Sequence, residues 1–142
     1  MPETNQSRVV DASPSEVWKK LRNFHDLSWA PNVISSVDKV GDKDGSTAGA
    51  KRILNKAFHE TLIEIDEKGH SLRYSIDDGP SPVSRAEVSD YYGSIRLSPA
   101  QGGKGTLVEW TSRWESKSED AVAFCHGIYV ALLEELANSF KP

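Results

Sequence analysis

A run of β-prone segments joined by very short connections restricts the fold of this chain more than any other part of its sequence. The segments alternate with clusters of Gly, Asp and Pro, which are typical of tight turns. Parallel neighbours need a crossover of about a dozen residues or more, so connections this short predict an antiparallel meander. The predicted strands span residues 33–40, 50–54, 58–66, 71–76, 87–98 and 106–116.

A short strand and a helix start precede this run. Residues 6–12 are predicted to form the first strand, and Ser13 follows as a helix cap, with Glu16 three residues later to complete a capping box. Pro14 takes the first helical position, where its missing N–H costs nothing. Residues 25–29 allow one more helical turn before a proline stops it. We therefore expect two short helices after the first strand.

The sequence closes with a predicted long helix that begins at Ser118 as a cap and runs to Phe140. Its apolar positions cover more than half of the helix circumference, which favours a helix that lies across a concave sheet. In the preceding strand, alternation places Trp110 and Trp114 on the inward face. The predicted fold class is α+β, with a curved seven-stranded antiparallel sheet wrapped around the long C-terminal helix.

The length and net charge of the chain restrict the functions that it can have. A chain of 142 residues fits a single domain, which we place at residues 1–142. Its 17 basic and 21 acidic side chains give a net charge of −4, which repels phosphate backbones and anionic lipid surfaces. We therefore expect no nucleic-acid partner. No apolar run is long enough to predict a membrane span.

The cysteine and histidine residues favour a cytoplasmic protein without a metal. Cys125 is the single cysteine, and the opening residues lack the pattern of an export signal. Cys125 and His126 are helix neighbours that point about 100° apart, which disfavours a catalytic thiolate. His25, His59 and His70 lack the spacing of a zinc site. We expect no metal, no cofactor, and a monomer or weak homodimer.

Short motifs along nearly the whole chain carry a family resemblance. They are ASPSEVW at 12–18, WAP at 29–31, GAKR at 49–52, ETLIEID at 60–66, YSI at 74–76, YYGSIRL at 91–97, VEW at 108–110 and HGIY at 126–129. In this order they resemble the polyketide cyclase/dehydrase branch of the START/Bet v 1-like (SRPBCC) superfamily. The resemblance implies a helix-grip fold with a cavity between sheet and C-terminal helix that takes lipids, hormones, polyketides or other hydrophobic molecules.

Similarity to the plant abscisic-acid receptors of this superfamily implies a set of ligand-binding residues. The implied set is Arg52, Glu60, Tyr74, Tyr91, Trp110, Phe124 and Ile128. Trp29, on the second predicted helical turn, joins the set as a residue at the cavity mouth, with a simple packing role as the alternative. The chain also departs from those receptors. Pro31 stands where their hormone-pairing lysine falls, the gate is reduced to a turn at Asn55-Lys56, and residues 80–85 lack the His-Arg-Leu latch. These departures argue against a hormone receptor of that mechanism.

Arg52 and Glu60 are the residues with the clearest chemistry. They lie on strands predicted to be neighbours, and both point inward, where an unpaired charge is very costly. We expect them to form an ion pair. The pair either orients a polar group of a ligand or is purely structural, and a third reading makes Glu60 a general base whose pKa is raised by burial.

Three functions are compatible with these observations. The first is binding of a small hydrophobic ligand, such as a lipid, polyketide or aromatic compound, in the cavity. The second is a polyketide cyclase or aromatase that uses Glu60 as its acid or base. The third is an accessory protein-binding domain with a collapsed cavity. In the first two, residues 77–87 are a candidate lid over the site.

Overall fold

The computed structural model describes residues 2–140, so the ends of the predicted domain at 1, 141 and 142 lie outside the described residues. The elements in chain order are β1 (Glu3–Val10), α1 (Pro14–Leu21), β2 (Val37–Val40), β3 (Lys51–Leu54), β4 (Phe58–Asp66), β5 (Ser71–Asp78), β6 (Ser89–Pro99), β7 (Thr106–Glu115) and α2 (Asp120–Asn138).

All seven strands form one antiparallel sheet in the order β1-β7-β6-β5-β4-β3-β2. Consecutive strands from β2 to β7 are neighbours, as the short connections require, and β1 closes the far side by pairing with β7. Irregular pairing in β4 and at the start of β6 bends these strands. The curved sheet wraps around α2, so the predicted α+β helix-grip fold is confirmed.

The N-cap predicted for α1 is confirmed, because the Ser13 side chain accepts a hydrogen bond from the Glu16 backbone N–H at 3.3 Å. The Glu16 carboxylate accepts from Ser13 Oγ at 3.1 Å, whereas in a capping box it accepts from the backbone N–H of the cap residue. Pro14 occupies the first turn, and Val17 and Leu21 are buried on the inward face. The helix is therefore stabilised by a polar cap at its N-terminus and by core packing along its inward face.

The second of the two predicted short helices does not form. Side chains compete with the helical backbone in this segment, because Asn23 Oδ1 accepts from the His25 N–H and Asp26 Oδ1 accepts from the Ser28 N–H. The Ala30 N–H then bonds to the Leu27 carbonyl, which makes a turn. Residues 23–34 are thus a series of turns rather than a helix.

The predicted strand at 33–40 is also shorter in the structure, where only Val37–Val40 pairs with β3. Before Val37, hydrogen bonds from the Asn55 side chain replace backbone pairing with β3. Asn55 Oδ1 accepts from the Ser35 N–H at 2.6 Å, and Asn55 Nδ2 donates to the Val33 carbonyl at 3.0 Å. Asn55 and Lys56 both have positive φ, so the predicted tight turn between β3 and β4 is confirmed.

The core lies between the concave face of the sheet and α2. Val108, Trp110, Ser112 and Trp114 are all buried, which confirms the inward face predicted for β7. On α2 the buried residues include Ala121, Cys125, Tyr129 and Leu136 at helical spacing. Within the described residues, no helix is long and apolar enough to span a bilayer.

The cap predicted at the start of α2 is displaced. Glu119 is the N-cap and makes no side-chain capping bond, while Ser118 accepts from the Asp120 N–H at 3.0 Å. The serine therefore satisfies one free N–H of the helix end from a position one residue earlier than a standard cap.

Gly93 gives the first testable prediction. It lies opposite Tyr74 in the β5–β6 register, and an added Cβ would come within 2.7 Å of Tyr74 Cε1. Gly93→Ala must therefore displace the Tyr74 ring, and we expect a loss of about 1–3 kcal/mol in the free energy of unfolding. Denaturant unfolding measures this change.

The matched control is Gly127→Ala in α2, where an added Cβ meets nothing within 4 Å. Because alanine is the better helix former, this variant should be neutral or more stable by up to about 1 kcal/mol. Equal stability of the two variants would contradict the assigned contact between Gly93 and Tyr74.

Candidate functional site

A cavity of about 140 Å³ lies between the sheet and α2. Its walls come from β3 to β7, from α2 and from the turns before β2. The lining residues are Leu27, Val33, Ile34, Arg52, Leu54, Asn55, Phe58, Glu60, Tyr74, Ile76, Tyr91, Trp110, Cys125, Ile128, Tyr129 and Leu132. Six of the eight predicted ligand-binding residues line this cavity, namely Arg52, Glu60, Tyr74, Tyr91, Trp110 and Ile128.

The mouth of the cavity is marked by the lining residues that are only half-buried. Val33 and Ile34 come from the turns before β2, Asn55 and Phe58 from the β3–β4 hairpin, Ile76 from β5 and Ile128 from α2. The deeper lining residues, such as Tyr74 and Trp110, are 1% and 2% exposed. A molecule would therefore enter past the β3–β4 hairpin and contact the buried aromatic side chains.

Trp29 does not line the cavity. Because residues 27–30 form a turn, Leu27 faces the cavity while Trp29 lines a surface groove between α1 and the end of α2. Trp29 is 7% exposed, and its Nε1 has no hydrogen-bond partner among the described residues. The structure therefore places Trp29 outside the lining of the cavity.

Phe124 also lies outside the lining. Its ring stacks on Phe58 with 6.4 Å between ring centroids and an interplanar angle of 22°. Phe58 is the residue that reaches the cavity. Phe124 therefore supports the mouth through Phe58 instead of facing a ligand itself.

The segment predicted as a lid lies elsewhere. None of residues 77–87 lines the cavity, and Pro82, Arg85 and Glu87 instead border a surface groove shared with the β7–α2 connection. Internal bonds hold the segment, with the Arg85 N–H donating to Asp78 Oδ1 and Ser84 Oγ donating to Glu87. It packs on the core through Val83, which is 1% exposed.

Arg52 and Glu60 form the predicted ion pair. They are register partners on β3 and β4, and they are 7% and 6% exposed. Arg52 Nε and Nη2 both donate to Glu60 Oε1, at 2.8 and 2.6 Å. Arg52 Nη1 donates to the Phe24 carbonyl at 2.9 Å, and the guanidinium lies 3.7 Å from the centroid of the Phe24 ring. All three guanidinium nitrogens are thus engaged.

The Glu60 carboxylate is held asymmetrically. Burial raises the pKa of this carboxyl, and the neighbouring Arg52 opposes the rise. Both bonds from Arg52 go to Oε1, while Oε2 accepts no hydrogen bond from any residue between 2 and 140. Since Glu60 lines the cavity, this oxygen is an unpaired acceptor at the cavity wall.

Three tyrosines and a tryptophan form a hydrogen-bonded cluster, which we call the tyrosine cluster (Tyr74, Tyr91, Trp110 and Tyr129). Trp110 Nε1 donates to the Tyr74 hydroxyl at 2.8 Å, and Tyr74 donates to Tyr129 at 2.9 Å. Tyr129 and Tyr91 are joined at 2.5 Å. Burial raises the pKa of all three phenols, so they stay protonated.

Further polar contacts join β1 to β7 and to α2. The hydroxyl groups of Thr4 and Ser112 are hydrogen-bonded at 2.7 Å. Gln6 lies beside Thr4 on β1, and His126 Nδ1 contacts Gln6 Oε1 at 3.0 Å. His126 therefore anchors α2 to β1.

Sequence reasoning missed Tyr129 and Cys125 as lining residues. Both stand in the apolar stripe of α2, four residues apart, with Tyr129 next to the predicted Ile128. The spacing of Cys125 and Tyr129 places them on one helix face and was the available signal. Burial raises the pKa of the Cys125 thiol, which fits the expectation that it is no nucleophile.

The part of the chain from 2 to 140 contains no group of three or more His, Cys, Asp or Glu side chains that could hold a metal ion. Cys125 is a buried free thiol.

Comparison with known proteins agrees with this architecture. A family model described as polyketide cyclase/dehydrase and lipid transport matches residues 1–141. The chain belongs to this family. A solved protein of the same fold from Nitrosospira multiformis is 45% identical, with a TM-score of 0.95 and coverage of 99% of this chain and 97% of that one.

More distant members of the fold share the same outline. The protein XoxI from Bacillus cereus is 26% identical, with a TM-score of 0.80 over 99% of this chain and 96% of that one. Ginseng major latex-like protein 151 from Panax ginseng is 14% identical, with a TM-score of 0.80 over 99% and 97% of the two chains. This plant protein shows a Bet v 1-like fold shared without close sequence similarity. No curated protein matches the chain.

The buried ion pair gives the second testable prediction. Glu60→Ala leaves the Arg52 charge without its partner in a nearly dry site, and we expect a loss of about 3–5 kcal/mol in the free energy of unfolding. Thermal and denaturant unfolding of the purified variant measure the loss.

The control is the double variant Arg52→Met/Glu60→Leu, which removes both charges and keeps the site filled. Because no buried charge is left uncompensated, it should be substantially more stable than Glu60→Ala. A double variant as unstable as the single one would show that the ion pair is not what the single variant disrupts.

Proposed function

We propose that this protein binds a small hydrophobic molecule in the cavity between the sheet and α2. The observation that carries the proposal is a partly enclosed, mostly apolar cavity that contains a buried carboxylate on one wall. Binding sites for small molecules combine an apolar lining with a few placed polar groups. Apolar burial would supply most of the affinity, and the Arg52–Glu60 pair would orient the ligand.

The cavity volume restricts the size of the molecule. At about 140 Å³ it is close to an engineered cavity of about 150 Å³ in another protein that takes up benzene. Pockets for drug-sized ligands run to about 300–1,000 Å³. The cavity therefore suits a single ring, and a lipid or a polyketide chain would require it to widen.

Proton transfer by Glu60 is the second candidate function. It is favoured by the raised pKa of this buried carboxyl and by its oxygen at the cavity wall. The phenols around the cavity hold their protons too tightly to act as a second acid at neutral pH. Any reaction here would thus depend on Glu60 alone, and binding is the function that needs fewer groups.

The hypothesis of an accessory protein-binding domain with a collapsed cavity has less support, since a ring-sized space is present. We place the protein in the cytoplasm on the strength of its unpaired, buried thiol. A single domain that acts as a monomer or weak homodimer completes the proposal.

The third testable prediction concerns the cavity as the binding site. A panel of toluene, phenol and indole is titrated into the protein by calorimetry, and we expect saturable binding with one molecule per chain. Ile128→Phe adds bulk to a residue at the mouth, so it should weaken every observed affinity at least about tenfold, or 1.4 kcal/mol.

Val130→Phe is the matched control, because Val130 lies on the same helix but is 45% exposed and does not line the cavity. It should bind as the unmodified protein does. Absence of binding to the whole panel, or equal affinities in Ile128→Phe and Val130→Phe, would contradict the proposed function.

A further inference from the structure

We infer that the cavity selects neutral single-ring molecules that carry an O–H or N–H donor, with Glu60 Oε2 as the group that accepts this hydrogen bond. The inference rests on the proposed function, and it adds the chemical class of the ligand. It follows from the hydrogen-bond partners of the oxygen and nitrogen atoms in the side chains that line the cavity, since buried polar groups that already have partners offer less to a ligand.

The polar atoms of the tyrosine cluster pair with one another. Tyr74 donates its hydroxyl proton to Tyr129, and Tyr129 shares a hydrogen bond with Tyr91 in which either hydroxyl can be the donor. Trp110 Nε1 donates to the Tyr74 hydroxyl. These residues present ring faces to the cavity, and their hydroxyls bind one another.

The other polar lining groups are engaged as well. Asn55 uses both ends of its amide, with Oδ1 accepting from Ser35 and Nδ2 donating to the Val33 carbonyl. Each guanidinium nitrogen of Arg52 donates to Glu60 or to the Phe24 carbonyl. Every side-chain nitrogen and oxygen of these two residues therefore has at least one partner, although Arg52 Nη1, Arg52 Nη2 and Asn55 Nδ2 each keep a second N–H.

Glu60 Oε2 is the exception. It belongs to a side chain that is 6% exposed, lines the cavity and uses only Oε1 to meet Arg52. A hydrogen bond to a charged group is stronger than one between neutral groups. A ligand that donates to this oxygen gains such a bond, whereas a purely apolar ligand of the same size covers the oxygen without pairing it.

Charge completes the selection. The positive charge of Arg52 is already neutralised by Glu60 at 2.6 Å, and the cavity lining contains no other cationic side chain. A carboxylate ligand would enter beside the Glu60 carboxylate without a free counter-charge, which disfavours its burial. The aromatic walls favour a flat ring as the remainder of the ligand.

The experiment compares ligands of matched size in the unmodified protein. Phenol and toluene have the same number of non-hydrogen atoms and differ in the donor. Calorimetric titration should show phenol binding at least as tightly as toluene, although phenol is the more readily hydrated molecule. Without an acceptor in the cavity, phenol should instead be weaker by about tenfold or more. Sodium benzoate should give no measurable binding.

The outcomes separate this inference from the proposed function. Toluene binding with phenol at least about tenfold weaker would overturn the donor selection while the cavity remained a binding site. Benzoate binding more tightly than phenol would overturn the charge argument. If toluene, phenol and indole all failed to bind, the proposed function itself would fall, and this inference with it.

Glu60→Gln tests the role of the carboxylate directly. The amide oxygen can still accept from Arg52, which leaves the N–H₂ group facing the position of Oε2. The ratio of toluene to phenol dissociation constants should then fall at least about fivefold relative to the unmodified protein. If the ratio were unchanged in a folded variant, Glu60 would not be the group that accepts the hydrogen bond from the ligand. The comparison in the unmodified protein stands independently if the variant does not fold.

Discussion

The ion pair between Arg52 and Glu60 is the interaction on which the interior of this protein depends. Two charges lie on neighbouring strands under the helix, and each is tolerated there only because the other is present. The pair also joins parts of the fold, since Arg52 reaches from β3 to the Phe24 carbonyl and lies over the Phe24 ring. Glu60 Oε1 accepts both hydrogen bonds from Arg52, and Glu60 Oε2 is left at the cavity wall.

The tyrosine cluster explains why a cavity can persist beside that pair. Large rings from β5, β6, β7 and α2 meet at their polar tips and satisfy one another, which leaves space between their faces. Gly93 is the local requirement, because any side chain there would overlap the Tyr74 ring that lies across β6. The result is an interior with a mostly apolar lining and few polar atoms open to a ligand. Membership of the polyketide cyclase/dehydrase and lipid transport family is consistent with such an interior.

Local patterns were sufficient to predict much of this arrangement. The bounds of β4, the Ser13 cap and the inward face of β7 follow from periodicity and turn chemistry, and burial cost alone paired Arg52 with Glu60. The failures have different causes. Asn55 holds residues 33–36 from across the hairpin. The second helix is replaced by turns because Asn23 and Asp26 accept from nearby backbone N–H groups, and these turns place Trp29 in a surface groove. The small volume of the cavity depends on how rings from five elements pack.

A crystal structure of the protein grown with saturating phenol would show whether the cavity holds a small ring against Glu60. We expect a ring between the sheet and α2 with its oxygen about 2.5–3.0 Å from Glu60 Oε2. An empty cavity at saturating phenol would contradict this expectation, as would a phenol molecule whose oxygen points away from Glu60.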